Sequence, residues 1–348
     1  MNRAISLFSG AGGLDIGIGK AGFVNLCSIE LDPHCVSTLR NNSVHSKKIW
    51  NIDIRAVSPS GLLTSLGLAK GDIELLHGGP PCQSFSQIGK RLELSDARGE
   101  LAFEMLRFAD EMRPKAVIIE QVANFVKAKF TTNATIVDEF SRRFELIGYK
   151  LFWRILDASE HGVAQRRKRA FLIAFRSDTI GTDRFTFPAG SDLVRSVSEV
   201  ISDLPKPQKK GDLRDGIANH IDITPSRDRE RIAPVLEGEW LSKSNAPKSL
   251  IGGLSKKDTT KFRRLARHEP SLTLRCGEIF FHPLEDRYIT PREAARIHGY
   301  DDRYEFMGPI RGRTGTVRNL DQHRQVANSV PPPLAAAIGK SVRDALCL

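Results

Sequence analysis

Cysteine is scarce in this chain and is placed where it cannot build a framework. The five residues, Cys27, Cys35, Cys82, Cys276 and Cys347, are odd in number and widely spaced, and no Cys-x-x-Cys pair occurs. That pattern argues against a disulfide-stapled scaffold and against a zinc site, so no metal is expected and the thiols should be reduced, as in a cytoplasmic protein. Long apolar runs are missing too, and nothing approaches the length needed to cross a bilayer. Met1-Asn2-Arg3-Ala4-Ile5 enters a strand at once, without an apolar leader and cleavage site. A soluble protein with no membrane partner is the expectation. Internal repeats are absent. The glycines of the turn Ser9–Leu14 are spaced differently from the Gly-x-Gly-x-x-Gly of dinucleotide sites, which disfavours a nicotinamide cofactor without excluding one.

What is present is ordinary in bulk and uneven in charge. At 348 residues, 40% hydrophobic and 27% charged, the chain can bury a full core and is expected to form one large domain plus a smaller one. Lys and Arg outnumber Asp and Glu by 52 to 41, a formal charge of +11 that favours a polyanionic partner. Residues 206–267 hold 15 basic and 8 acidic side chains, so most of the surplus is local. Trp240, Phe262 and Phe280-Phe281 are interleaved with it, as expected of a surface that meets nucleic acid. A basic linker would share the charge, but would have little reason to carry Trp240 or the strand-like Ser271-Leu272-Thr273-Leu274-Arg275.

One cysteine stands apart. Asp72-Ile73-Glu74-Leu75-Leu76-His77 has the short apolar character of a parallel strand, and Gly78-Gly79-Pro80-Pro81 can continue neither a sheet nor an ordinary helix. Cys82 therefore follows a strand end, where open α/β sheets bind their ligands. A small buried apolar role is the alternative for a lone cysteine. The rigid frame before it and the polar Gln83-Ser84-Phe85-Ser86 after it favour a reactive thiol.

Around that strand the chain alternates strand and helix. Ala4–Phe8 is a strand, and Ser9-Gly10-Ala11-Gly12-Gly13-Leu14 a tight turn opening a helix to about Lys20, with glycines that let a nucleotide approach the backbone. Val24–Ile29 is a second strand closed by Glu30, an acidic end suited to ribose hydroxyls, and Asp32-Pro33 starts the next helix. A strand near Lys48–Trp50 precedes Asp53, and a helix spans about Val57 to Leu66. Gln83 to Gly99 reads as a mobile lid or a plain surface loop. Leu101–Met112 is helical, Ala116–Ile119 is a strand buried on both faces that delivers Glu120, and a helix near Ile136–Ile147 leads to strands near Lys150–Leu156 and Ala170–Phe175. The basic run Gln165 to Arg169 puts arginines at the start of the last strand, within reach of Glu120 or a phosphate. Beyond Ser177 this alternation is lost. Thr290-Pro291-Arg292-Glu293 is a capped helix start, and Gln325 to Pro333 precedes an alanine-rich helix that needs a sheet to pack on.

With these residues in view the chain resembles the cytosine-5 DNA methyltransferases over nearly its whole length and in motif order. Phe8-Ser9-Gly10-Ala11-Gly12-Gly13-Leu14 is similar to their S-adenosylmethionine turn, Gly78 to Gln83 to their catalytic-cysteine motif, and Gln165-x-Arg167-x-Arg169 to their Gln-x-Arg-x-Arg motif. Arg287 with Thr290 to Glu293 resembles the motif that organises target recognition, and Gln325 to Val330 the closing motif. Two departures stand out: Gln121 where the family usually has Asn, and Ala327 where it commonly has Gly.

The resemblance implies an α/β fold: a Rossmann-like S-adenosylmethionine-dependent methyltransferase sheet over 1–185, a smaller irregular target recognition domain over 186–320, and a segment, 321–348, returning to the first domain. It implies methyl transfer from S-adenosylmethionine to carbon 5 of a flipped-out cytosine in duplex DNA. Cys82 would be the nucleophile, Glu120 would bind the ring, and Arg167 and Arg169 would orient Glu120 and contact the nucleotide. Phe8, Ser9, Gly10, Gly12, Gly13, Leu14, Glu30, Leu31, Asp53, Ile54, Pro80, Leu101, Asn328 and Ser329 would hold the cofactor. Gln83, Ser84, Ser86, Arg91, Gln165, Arg263, Arg264 and Arg275 would meet DNA. The implied partners are double-stranded DNA and a companion restriction endonuclease, with a monomer as the working unit. An RNA-methylating relative, a silent DNA-binding module and an oxidoreductase are the competing readings.

Overall fold

The computed structural model describes residues 2–42, 46–81, 101–179, 184–209, 216–251, 262–311 and 319–348. These fall into two compact units: 1–157 with 168–190 and 330–348, and 158–167 with 191–329.

The first unit is built on a seven-stranded sheet. Its strands are β1 (Asn2–Leu7), β2 (Phe23–Glu30), β3 (Ile49–Asn51), β4 (Leu75–Gly78), β5 (Ala116–Val122), β6 (Tyr149–Asp157) and β7 (Lys168–Arg176). Spatially they run β3-β2-β1-β4-β5-β7-β6, with all neighbours parallel except β7, which is antiparallel to both β5 and β6. The order reverses between β1 and β4, so the carboxyl ends of these two strands frame the place where such sheets bind ligands. Helices α1 (Gly13–Lys20), α2 (Pro33–Asn41), α3 (Pro59–Ser65), α4 (Leu101–Met112) and α5 (Ile136–Leu146) connect the strands. All four residues of β4 and the first four of β5 are buried, which explains their unbroken apolar sequence: parallel strands are covered on both faces.

Close packing fixes two glycines. A Cβ at Gly78 would strike the Leu7 carbonyl oxygen and lie 3.1 Å from Met105 Sδ, so β1, β4 and α4 meet there only because the side chain is hydrogen. The last helix of the chain, Pro332–Ala345, packs on α1, and a Cβ at Gly17 would collide with Ala335 and with the backbone at Pro332. Its apolar stripe Leu334, Ala335, Ile338 and Val342 is buried, as its alanine-rich pattern requires.

The second unit has little regular structure and holds itself together differently. Irregular backbone leaves carbonyl groups that must find donors, and buried arginines supply them. Arg292 is fully buried and donates to the carbonyls of Ala218, Asp301 and Tyr304; Arg264 donates to those of Val235, Ile232, His282 and Glu285. Arg287 forks onto Glu293, the residue that closes the capping box of the helix Pro291–Ile297. The aromatic residues expected on a nucleic-acid surface are largely interior: Phe280 and Phe281 are buried, and Phe262 stacks on Phe281 with ring centres 5.9 Å apart. Residues 271–275 form no strand, only a single bridge from Ser271 to Gln165. The helix Gln322–Asn328 belongs to this unit because Gln322 and Gln325 tie it to the backbone of Met307, Gly308 and Pro309. The chain rejoins the first unit at Val330.

Candidate active site

At the end of β1 the chain turns through a left-handed Phe8 (φ 54°), Gly10 (φ 53°) and Gly12 (φ 74°) before α1 begins at Gly13. For Phe8 that conformation carries strain of about 1–2 kcal/mol, which the surrounding contacts must hold. Glu30, at the end of β2, caps the turn: its Oε2 accepts from the Gly10 amide at 2.7 Å, and its Oε1 from the amides of Leu31 and Asp32 at 2.9 and 2.8 Å. Burial pushes the Glu30 carboxyl above its usual range. Apart from its own chain neighbours, no atom of the described residues lies within 4 Å of where a Gly10 Cβ would stand, so the turn has an open side. Leu31 and Ile52, at the ends of β2 and β3, are exposed although apolar, at 60% and 36%. Asp53 caps the short helix Ile54–Ala56 and pairs with Arg55, which holds its carboxyl below the usual range. Ile54 turns its side chain into the hydrophobic core, so only its backbone can serve a ligand. Ile52 is the exposed apolar side chain there.

Beneath this turn lies a network that the motifs do not reveal. Asp15, in the first turn of α1, is fully buried, accepting from Ser6 Oγ at 2.6 Å and Ser28 Oγ at 2.7 Å. Ser9 Oγ donates in turn to Ser6 Oγ at 2.8 Å. Burial without a cation raises the Asp15 carboxyl to about 6. The signal in the sequence is a lone acid inside the otherwise apolar run Leu14-Asp15-Ile16-Gly17-Ile18.

The second cluster lies at the ends of β4 and β5. Pairing of Gly78 with Ile119 brings Gly79 beside Glu120, and a Gly79 Cβ would lie 3.2 Å from Glu120 Oε2. Any larger residue there would crowd the carboxylate. Arg169 enters on the antiparallel β7 and sets its Nε 3.0 Å from Glu120 Oε1, with both side chains nearly buried. Gln121, 1% exposed, donates from Nε2 to the Pro80 carbonyl at 2.6 Å, while its buried Oε1 has no hydrogen-bond partner among the described residues. The longer amide therefore reaches across to the backbone two residues before Cys82. Pro80 is buried and Leu101 half-buried at the start of α4. Cys82, Gln83, Ser84, Ser86 and Arg91 lie outside the described residues.

In the second unit, Arg167 is buried and donates to the carbonyls of Leu274, Ala327 and Ser329. It holds the closing segment in place, which was not its expected contact with a nucleotide. Gln165 is likewise buried, facing His298 Nδ1 at 3.0 Å and accepting from the Leu274 amide, while His298 Nε2 meets the Ser329 carbonyl. The expectation that Gln165 and Arg264 meet DNA is corrected here: both side chains are interior and bonded within the unit. Arg263 lies over the Trp240 ring and donates to the Gly238 carbonyl. Arg275 is exposed, and Asn328 accepts from the Cys276 thiol at 2.6 Å.

The strand order and the two clusters at the carboxyl edge define a Rossmann-like methyltransferase. The chain belongs to the C-5 cytosine-specific DNA methylase family, whose model matches residues 2–344, and is accordingly a DNA cytosine methyltransferase. It is similar to the Type II methyltransferase M.Eco47II of Escherichia coli, at 32% identity over 97% of this chain and 78% of that one. It is also similar to M1.HphI of Haemophilus parahaemolyticus, at 33% identity over 97% and 86%. Among solved structures it resembles a prophage-encoded E. coli protein described as a candidate DNA modification methyltransferase, with TM-score 0.75 at 22% identity over the full length of both chains. Spodoptera frugiperda DNMT2 follows, with TM-score 0.65 at 15% identity and 98% of this chain covered.

Proposed function

We propose that this enzyme methylates carbon 5 of a flipped-out cytosine in a specific duplex DNA sequence through a covalent adduct at Cys82, as the modification half of a restriction-modification pair. The observation that carries the reading is the Glu120 carboxylate, gripped by Arg169 and set beside Gly79 in the strand end that leads to Cys82. Carbon 5 of cytosine is too weak a nucleophile to act unaided. Addition of the Cys82 thiolate to carbon 6 moves the electron pair of the 5,6 double bond onto carbon 5, and Glu120 stabilises the charge that develops by hydrogen bonding ring nitrogen 3 and the exocyclic amine. Loss of the carbon 5 proton after methylation restores the double bond and expels the thiolate. Arg169 keeps Glu120 aimed throughout.

S-adenosylmethionine supplies the electrophilic methyl group when bound. The residues fit it: the open side of the left-handed turn at Gly10 admits a close approach, the Glu30 carboxylate suits ribose hydroxyls, and exposed Leu31 and Ile52 offer apolar faces to a purine. Phe8, Ser9, Gly10, Gly12, Gly13, Leu14, Asp53, the Ile54 backbone, Pro80 and Leu101 keep their assignment to the cofactor, and Asn328 and Ser329 keep it by resemblance. Extraction of the target base costs a few kcal/mol, offset by phosphate contacts from the basic segment and by Arg263 and Arg275. Labelled methyl transfer to mixed-sequence duplex, with transfer RNA in parallel and bisulfite sequencing of the product, tests the reading. Methyl at carbon 5 within one short sequence, abolished in Cys82→Ala, is expected. Label confined to RNA, or turnover by Cys82→Ala, would overturn it.

A further inference from the structure

We propose that Asp15 is a positioning residue for the cofactor turn: through Ser6 it fixes the Ser9 hydroxyl, and with it the left-handed Phe8–Gly13 backbone, without itself touching the cofactor. The inference rests on the assignment of that turn to S-adenosylmethionine.

The geometry forms a relay. Asp15 is 0% exposed, and no cation is among its hydrogen-bond partners: its Oδ1 takes the Ser6 hydroxyl and its Oδ2 the Ser28 hydroxyl. Because Ser6 donates to Asp15, its oxygen is left to accept, and Ser9 Oγ fills that role at 2.8 Å. The direction of every hydroxyl is thus set from the carboxylate outward. The same Ser9 accepts from the Gly12 amide through its carbonyl and donates from its own amide to the Ile29 carbonyl at 3.1 Å, so the relay ends on the residue around which the turn folds. Three elements, β1, β2 and α1, are joined at one buried acid just beneath the site.

Stability alone gives little reason for this arrangement. A buried carboxylate with no cation among its hydrogen-bond partners is costly to desolvate, and replacing it together with its hydroxyl partners by apolar groups of the same shape can be neutral or better for the fold. What the acid supplies is orientation. An acceptor pair at this depth commits the Ser6 proton to the acid and makes the Ser6 oxygen the nearer acceptor for Ser9 Oγ, at 2.8 Å against 3.4 Å for the Ile29 carbonyl, and so helps hold a turn whose Phe8 is left-handed.

The test uses the full-length enzyme with three substitutions: Asp15→Ala, which removes the relay; Ser6→Ala, which cuts it between Asp15 and Ser9; and Asp15→Asn, whose Oδ1 still accepts from Ser6. Calorimetric binding of S-adenosylhomocysteine is measured on the folded protein, alongside KM for S-adenosylmethionine and kcat. A roughly tenfold loss of affinity in Asp15→Ala and Ser6→Ala, appearing in KM with kcat within about twofold, and restored in Asp15→Asn, is expected. A merely structural role would lower the unfolding midpoint without changing the affinity of the folded fraction. Affinity within twofold of the parent in Ser6→Ala, or an Asp15→Asn variant as weak as Asp15→Ala, would overturn the inference. A parent enzyme that fails to bind S-adenosylhomocysteine would instead overturn the assignment of the turn.

Discussion

Replacing Asp15 by Asn should make stability depend on pH in a way that can be worked out beforehand. Burial raises the folded carboxyl to about 6 from an ordinary value of 3.8. A folded pKa above the unfolded one means that the native state binds the proton more tightly, so the contribution of Asp15 is most favourable at low pH and is lost as pH rises from about 4 through 6. A shift of roughly two units corresponds to about 3 kcal/mol in full, of which about 2 kcal/mol falls between pH 4 and pH 8. Asn cannot titrate. The variant therefore gains about 2 kcal/mol on the parent over that interval, whatever constant amount it loses from the altered bond to Ser28. Urea unfolding at both pH values, followed by circular dichroism, reads the difference. With a slope of about 3 kcal/mol per molar urea, the variant's midpoint should move by roughly 0.6 M relative to the parent between the two conditions. Every other titrating group is common to both proteins and cancels. A parent–variant difference that stays flat from pH 4 to pH 8 would refute the picture of an uncompensated buried acid.

Gln121→Leu removes the amide bonded to Pro80 and should lower kcat by about tenfold with KM for the cofactor unchanged; Gln121→Asn, though closer to the usual family residue, is one methylene too short for the same 2.6 Å contact and should also lose kcat. Full activity in both would dismiss the anchoring role. Arg169→Ala strips the cation 3.0 Å from Glu120 and should cost about a hundredfold in kcat with the circular dichroism spectrum intact, and a loss under threefold would mean that Glu120 needs no such partner. Lys243→Gln, at an exposed site, should flatten the dependence of log DNA affinity on log salt by about one unit, whereas Arg264→Gln should lower the unfolding midpoint and leave that slope unchanged. The reverse pattern would restore Arg264 to the DNA surface.

How much of this was legible in the sequence differs between the two units, and for a physical reason. In the first unit, covered parallel strands write themselves as short apolar runs, and the cap at Asp32 sits where its helix starts, as Thr290 does in the second unit. Glu30, Glu120 and Arg169 were readable because strand ends deliver them. Asp15 was not: the apolar run around it hints at burial, but its partners Ser6 and Ser28 lie on separate strands and meet it only in the fold. In the second unit composition misleads. Of the fifteen basic residues in 206–267, Arg264 is interior, Arg229, Arg231 and Arg267 are paired with Asp222, Asp228 and Glu237, and Arg263 lies on Trp240. A chain with few helices and strands leaves carbonyls for side chains to satisfy, and arginine, with five donors in a fixed fork, does this at several strands' distance. The arginine content of such a domain thus measures two demands at once, for phosphate and for its own backbone. Only burial separates them, and burial is what the linear charge count omits.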